Sequence, residues 1–222
     1  MKPGPRRSVS QSDLVGAAFE LLEQKGFAAV SVRGVAASLG LTPTAMYTYF
    51  PSKQALLAAM VEELLAGVTG QDGPADAPPA AAARGLLVDT ALALRARLRD
   101  HPGAIALMTS GPLDGAQALG LAERLGEAFA VAGASDPDDA ARAAHALLAL
   151  VLGQVALETA WGAASETDSA ALWSDAPPHP ITEAGAALGL REGAEAEFRR
   201  ALERVVDAWA PTHLAPDLGP NS

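Results

Sequence analysis

Apolar residues recur at helical spacing almost from the start of the chain. Leu14, Ala17, Ala18, Leu21 and Leu22 fall at i, i+3, i+4, i+7 and i+8, which predicts a helix over Ser12–Lys25. Gly26 ends it as a C-cap, and Phe27 folds back on the core. Val32, Val35, Ala36 and Leu39 share one face of a second helix, opened by Ser31 as N-cap and stopped by Gly40. Thr42-Pro43 pairs a capping hydroxyl with proline at the first helical position, so a short third helix runs from about Pro43 to Phe50. Ser52 caps a fourth, Lys53 to Ala66. Two short helices joined by a tight glycine turn are the layout of a helix-turn-helix.

Beyond this head, Gly67–Ala83 is rich in Gly, Pro, Asp and Ala and reads as a loop. Helical segments follow near Ala80–Arg99, Pro102–Ser110, Asp114–Ala132, Asp136–Ala164 and Arg191–Ala210, with Ser165–Gly189 broken by Pro177, Pro178 and Pro180. Four parts result: a basic arm (1–11), a helix-turn-helix domain (12–66), a larger helical domain (80–210) and a tail (211–222).

Composition supports an all-α fold. Half of the 222 residues are hydrophobic, mostly Ala and Leu, and only 5% are aromatic. The longest uncharged apolar run lies between Arg142 and Glu158. It is shorter than the ~20 residues a bilayer span needs, and it contains His145 and Gln154. We read it as a buried helix and expect no membrane partner. There is no cysteine and no apolar leader after the basic N-terminus, so a cytoplasmic protein is expected.

A net charge of −10 argues against nucleic acid until the chain is divided. Up to Met60 it carries Lys2, Arg6, Arg7, Lys25, Arg33 and Lys53 against Asp13, Glu20 and Glu23, a net +3. The remainder holds 10 basic and 23 acidic residues, a net −13. A basic head on an acidic body points to the head as the nucleic-acid contact.

Enzyme chemistry finds no support. The chain shows no carboxylate pair of defined spacing, no glycine-rich phosphate loop and no nucleophile with a companion base. His101, His145, His179 and His213 lack an i, i+4 ligand pattern, so neither metal nor cofactor is expected.

The stretch Val32-Arg33-Gly34-Val35-Ala36-Ala37-Ser38-Leu39-Gly40-Leu41, with Thr42-Pro43-Thr44-Ala45-Met46-Tyr47-Thr48-Tyr49-Phe50 and Pro51-Ser52-Lys53-Gln54-Ala55-Leu56-Leu57, resembles the DNA-binding domain of TetR-family transcriptional regulators. The resemblance covers about residues 12 to 65. More weakly, His101–Glu158 is similar to the C-terminal half of the tetracycline-repressor branch. That branch places a metal-liganding histidine where Leu107 and Met108 stand here, which argues against a metal–tetracycline complex.

The resemblance implies a homodimer on operator DNA, most simply a repressor released from a palindromic operator by a small-molecule effector. An activator of the same fold, or a regulator controlled by a protein partner, are the alternatives. Arg33, Thr42, Thr44, Ala45, Tyr47, Thr48, Tyr49 and Lys53 are the expected DNA-binding residues. Val32, Val35, Leu39, Leu41, Met46, Phe50 and Leu57 are core by type and spacing, and hold the third helix at the groove. Thr44, Ala45 and Thr48 are left for base edges. Arg33 is placed either for a bidentate guanine contact or for a phosphate. Tyr49 is the exposed phosphate-contacting phenol, with Tyr47 partly in the core, and Lys53 meets a phosphate at a helix N-terminus. Gly34 replaces a commonly polar residue and opens close approach either to DNA or to a neighbouring helix.

The larger domain is then expected to bind effector and to dimerise. Asp136–Ala164 is apolar nearly all round, as for a helix buried on two sides. The last helix carries Phe198, Leu202, Val205, Val206 and Trp209 at helical spacing, so both can pack against symmetry mates. Candidate pocket residues are Ile105, Met108, Leu125, Phe129, His145, Leu148, Leu152 and Trp161.

Overall fold

The computed structural model describes residues 9–68, 70, 77–101, 103–162, 180 and 194–210, and all regular structure among them is helical. The helices are α1 Gln11–Lys25, α2 Val32–Ser38, α3 Pro43–Tyr47, α4 Lys53–Leu65, α5 Pro79–Arg99, α6 Ala104–Met108, α7 Ala116–Ala132, α8 Pro137–Gly162 and α9 Ala194–Trp209. A single 3-10 turn, Phe27–Ala29, follows α1. Residues 163–179 and the 211–222 tail lie outside the described residues.

The second, third and fourth helices start where the sequence places their caps. Ser31, Thr42 and Ser52 each accept a hydrogen bond from the backbone N–H three residues on, at 3.0, 3.2 and 3.1 Å. Each satisfies a donor that the first turn would otherwise leave unpaired. At α1 the cap is Ser10, in a reciprocal box with Asp13: the Asp13 N–H donates to Ser10 Oγ and the Ser10 N–H to Asp13 Oδ2. Residues 9–11 of the expected arm are therefore part of the folded head. The third helix is shorter than expected, ending at Tyr47.

Two compact units emerge. One comprises residues 1–67 with 97–120, the other 68–96 with 121–222. Packing thus cuts across the chain-order division at 66 and 80: the last turn of α5, all of α6 and the start of α7 cluster with the head.

In the first unit α1 packs on α2 and α4, and α2 on α3. Leu14, Ala18, Val35, Met46, Leu56, Met60 and Leu64 are fully buried. Burial of this kind contributes about 1.5–3 kcal/mol per large side chain, the term that holds such short helices together. Leu107 of α6 is buried as well. Polar bonds fasten residues 97–120 to the same unit. Arg97 Nε donates to the Leu64 carbonyl at the end of α4. The Glu62 carboxylate accepts from the Gln117 and Ala118 N–H groups at 2.9 and 3.4 Å, capping α7. His101 shares a hydrogen bond with Glu23 and stands over Phe19.

In the second unit Leu87, Leu94, Leu125, Phe129, Leu147, Val151, Val155, Phe198 and Leu202 form the core. Buried with them is Arg95 of α5, only 3% exposed. Its guanidinium donates from Nε and Nη2 to Glu158 Oε1, which also accepts from Gln154 Nε2, and lies over the Phe198 ring. Near the start of α5, Arg84 pairs with Asp207 of α9.

The helix α8 departs from expectation in one respect. Ala140, Ala143, Ala144, Leu147, Val151 and Val155 are buried, but His145, Ala149, Gly153, Leu157 and Ala160 are exposed. Within one chain the helix is covered on one side only. Pro137–Ala160 has a mean hydropathy of 1.6 and is long and apolar enough to cross a membrane by length and composition, yet a third of it is buried against protein.

Candidate nucleic-acid interface

The helix-turn-helix depends on one backbone reversal. Gly40, at φ +66°, follows α2 in the left-handed conformation that side chains disfavour. Its N–H donates to the Ala37 carbonyl, and that of Leu41 to Ala36, which closes the end of α2. Thr42 then restarts the helix at once. With Met46 and Phe50 buried beneath it, α3 has its opposite side fixed at the surface.

On that surface Thr44, Tyr47, Thr48 and Tyr49 are exposed and Ala45 is half-buried. The Thr42 oxygen is engaged as the N-cap, and the Thr48 hydroxyl donates to the Ala45 carbonyl. Thr48 therefore offers outward a methyl and an acceptor oxygen. Arg33 is exposed on the first turn of α2, and Thr42 is exposed as well. Lys53 is half-buried at the start of α4, its ammonium 5.3 Å from the Phe27 ring centre. That contact holds a cation beside the N–H groups of the α4 terminus.

The structure adjusts three readings of individual residues. Tyr47, expected partly in the core, is 48% exposed, more than Tyr49 at 40%. Leu39, expected in the core, is 38% exposed, because α2 ends at Ser38 and the chain turns away before that position can be covered. The Tyr49 hydroxyl donates to the Val9 carbonyl at 2.9 Å, a bond spanning 40 residues that helical spacing does not reveal.

Gly34 faces protein. A Cβ there would lie 2.8 Å from the Ala29 carbonyl oxygen and 3.1 Å from Leu21 Cδ2. Glycine lets α2 sit against the turn after α1, and a backbone oxygen cannot yield as a flexible side chain would. Gly34→Ala is expected to lower stability by about 1–3 kcal/mol through overpacking, although alanine gains ~1 kcal/mol in helix propensity. A urea midpoint equal to or above the parent's would contradict this packing.

The residues proposed for an effector pocket are divided. Ile105 (half-buried) and Met108 (buried) lie on α6 in the first unit. Beside them a cleft of about 360 Å³ opens between α4 and the α6–α7 loop, lined by Val61, Leu107, Ser110 and Asp114 among others. Leu125 and Phe129 are buried in the second unit, where Leu148 and Leu152 are half-buried and His145 exposed. The Trp161 side chain lies outside the described residues. Between α5 and α7 of that unit a cleft of about 440 Å³ is lined by Ala83, Leu86, Arg124, Glu127, Ala128 and Val131. Among the described residues, no three His, Asp or Glu side chains are grouped to hold a metal ion.

Residues 14–60 match the family model described as bacterial regulatory proteins, tetR family. An HTH-type transcriptional regulator from Saccharopolyspora erythraea is 31% identical over 153 residues, 69% of this chain. The chain spans 62% of that curated relative's length. Among solved structures, Mycobacterium smegmatis BioQ is 28% identical with a TM-score of 0.64, covering 91% of this chain and 98% of BioQ. BioQ solved with its double-stranded DNA operator is 26% identical with a TM-score of 0.63, covering 92% and 99%. The motif, the cap-by-cap helix layout and these relatives together identify residues 14–60 as the DNA-binding domain of bacterial regulatory proteins of the tetR family.

Proposed function

We propose that the chain is a dimeric transcriptional regulator of the cytoplasm, a repressor that leaves a palindromic operator when a small molecule binds its helical domain. The observation that carries this is the surface of α3. It is held from beneath by Met46 and Phe50 and presents Thr44, Tyr47 and Thr48 outward beside Arg33. Short polar side chains, methyls and phenols on a rigid helix suit a major groove, where hydroxyls reach base edges and methyls meet thymine. BioQ, of the same fold, has been solved on its operator.

The exposed side of α8 supports the dimer. Ala149, Gly153 and Ala160 leave that side nearly free of bulk, and Leu157 stands 47% exposed beside them. An apolar helix uncovered along one side is best accounted for by a second copy, with a two-fold axis that sets two heads on one operator.

Sequences enriched by the purified protein from fragmented genomic DNA provide the operator for the test. Lys53→Ala is expected to weaken operator and scrambled duplex alike. Arg33→Ala is expected to cost the operator an additional 1–3 kcal/mol, roughly 5–150-fold, and to relax base preference. Unchanged isotherms for both variants would remove the model of the interface.

A further inference from the structure

Two arginines of α5 meet α9 along one stripe of the helix: Arg84 and, about three turns on, Arg95. Arg95 makes two bonds to Glu158, from Nε and Nη2. Arg84 makes one. Its Nη1 is bonded to Asp207, but its Nη2 is buried and has no hydrogen-bond partner among the described residues. A guanidinium presents its donors as a planar fork, and a buried donor left without an acceptor is costly. A carboxylate from outside the chain would complete Arg84 as Glu158 completes Arg95.

Arg84 lines a cleft of about 340 Å³ between α5 and α9, within the second unit. That volume is at the small end of ligand sites, which run from ~300 to ~1,000 Å³. Val88 and Val206, 7% and 2% exposed, give it a buried apolar surface. With Asp207 engaged by Nη1, the charges left on its walls are Arg199 against Asp89 and Glu203. A simple anion would meet two carboxylates of its own sign, and a simple cation would leave Nη2 unanswered. A molecule that carries both charges suits both sides of the cleft. Gly85 belongs to the same wall, inside a helix where glycine is less stable than alanine. A Cβ there meets nothing within 4 Å, so packing within the chain gives no reason for it. Its effect is to keep the cleft open.

We propose that this cleft binds a small zwitterion of the amino-acid type, and that this molecule is the effector. Its carboxylate lies on Arg84 Nη2 with Arg199 alongside, and its ammonium faces Asp89 and Glu203. The effector role rests on the reading of the chain as a ligand-responsive regulator; the binding site does not.

Titration calorimetry on the full chain without DNA tests the site. The probes are the common α-amino acids, β-alanine and 4-aminobutyrate, with propionate and propylamine as controls that carry one charge each. At least one zwitterion is expected to bind, and both controls to bind at least about 10-fold more weakly. Arg84→Met is expected to weaken that zwitterion roughly 10–100-fold, as for one lost charge-assisted hydrogen bond. Asp207, with 63% side-chain exposure, stays solvated in this variant. Gly85→Leu fits the free chain and fills the cleft, so binding is expected to vanish while the urea midpoint holds or rises. No binding of any zwitterion by about 10 mM overturns the proposal. Propionate binding as tightly as the best zwitterion does so too. Unimpaired binding in Gly85→Leu places the ligand elsewhere. A parent that sediments as a dimer and a Gly85→Leu chain that sediments as a monomer make the cleft a contact between copies, and overturn it as a ligand site. Control of DNA is read separately: the zwitterion is expected to release the parent, but not Gly85→Leu, from the duplex that each enriches. Binding without release overturns the effector role alone. A parent that enriches no sequence overturns the regulator reading, with the site still decided by calorimetry. Circular dichroism of both variants separates these outcomes from loss of fold.

Discussion

Arg95→Ala is expected to lower the stability of the helical unit by about 3–5 kcal/mol, a large part of what a domain of this size commands. The guanidinium is nearly sealed from solvent and makes two bonds to Glu158 Oε1. Deleting it leaves a carboxylate in a site with 17% side-chain exposure, opposite a gap where the cation lay over Phe198. The loss comes more from a half-buried carboxylate that has lost its cation than from the attraction itself, because removing an ion from water offsets most of what pairing returns. Arg95→Met combined with Glu158→Met is therefore expected to recover most of the stability. Guanidinium unfolding followed by circular dichroism measures both. A midpoint for Arg95→Ala within error of the parent would mean that the pair is not structural.

The second large effect is expected at Gly153. A Cβ at this position meets nothing within 4 Å, so Gly153→Arg fits the single chain and improves its helix propensity. It also places a cation in the middle of the uncovered side of α8. Sedimentation is expected to show dimers for the parent and monomers for the variant. Operator affinity is expected to fall by roughly 10²–10⁴, the advantage lost when two heads no longer bind as one unit. A dimer of unchanged affinity would place the interface elsewhere.

These expectations draw on parts of the molecule that the sequence discloses very unequally. The caps Ser31, Thr42 and Ser52 were legible because each is a local event: one oxygen and one N–H three residues on. The glycine turn at Gly40 and the buried positions Val35, Met46 and Phe50 follow from the same short-range rules. Leu39 shows where those rules stop. Its spacing is that of a core residue, but whether it is covered depends on where α2 ends. Gly34 marks a different limit, since only the packing of the Phe27–Ala29 turn brings the Ala29 carbonyl to it. The bonds from Tyr49 to Val9 and from Arg95 to Glu158 span 40 and 63 residues. No periodicity encodes such pairs, and the chemistry of either partner alone fits an ordinary surface residue.

The candidate interface was more readable than the candidate pocket for the same reason. A recognition helix is a continuous stretch whose outward face is what remains once the core positions are assigned. A binding cavity is assembled from several helices, and each of its apolar members looks like core. Ile105 and Phe129 illustrate this: similar in type and expected together, they belong to different units.

The way Glu62 and Arg97 fasten α7 and α5 to α4 also bears on how regulators of this kind can be recombined. A head excised after Gly67 would lose the Arg97 bond to its last carbonyls and leave Glu62 with no helix terminus to cap. It would also expose the surface that Leu107 covers. Grafting such a head onto a foreign sensor therefore calls for three splice points, after 67, before 97 and after 120. Residues 97–120 must travel with the head as a second inserted cassette, and the portable module is discontinuous in the gene although it is contiguous in space.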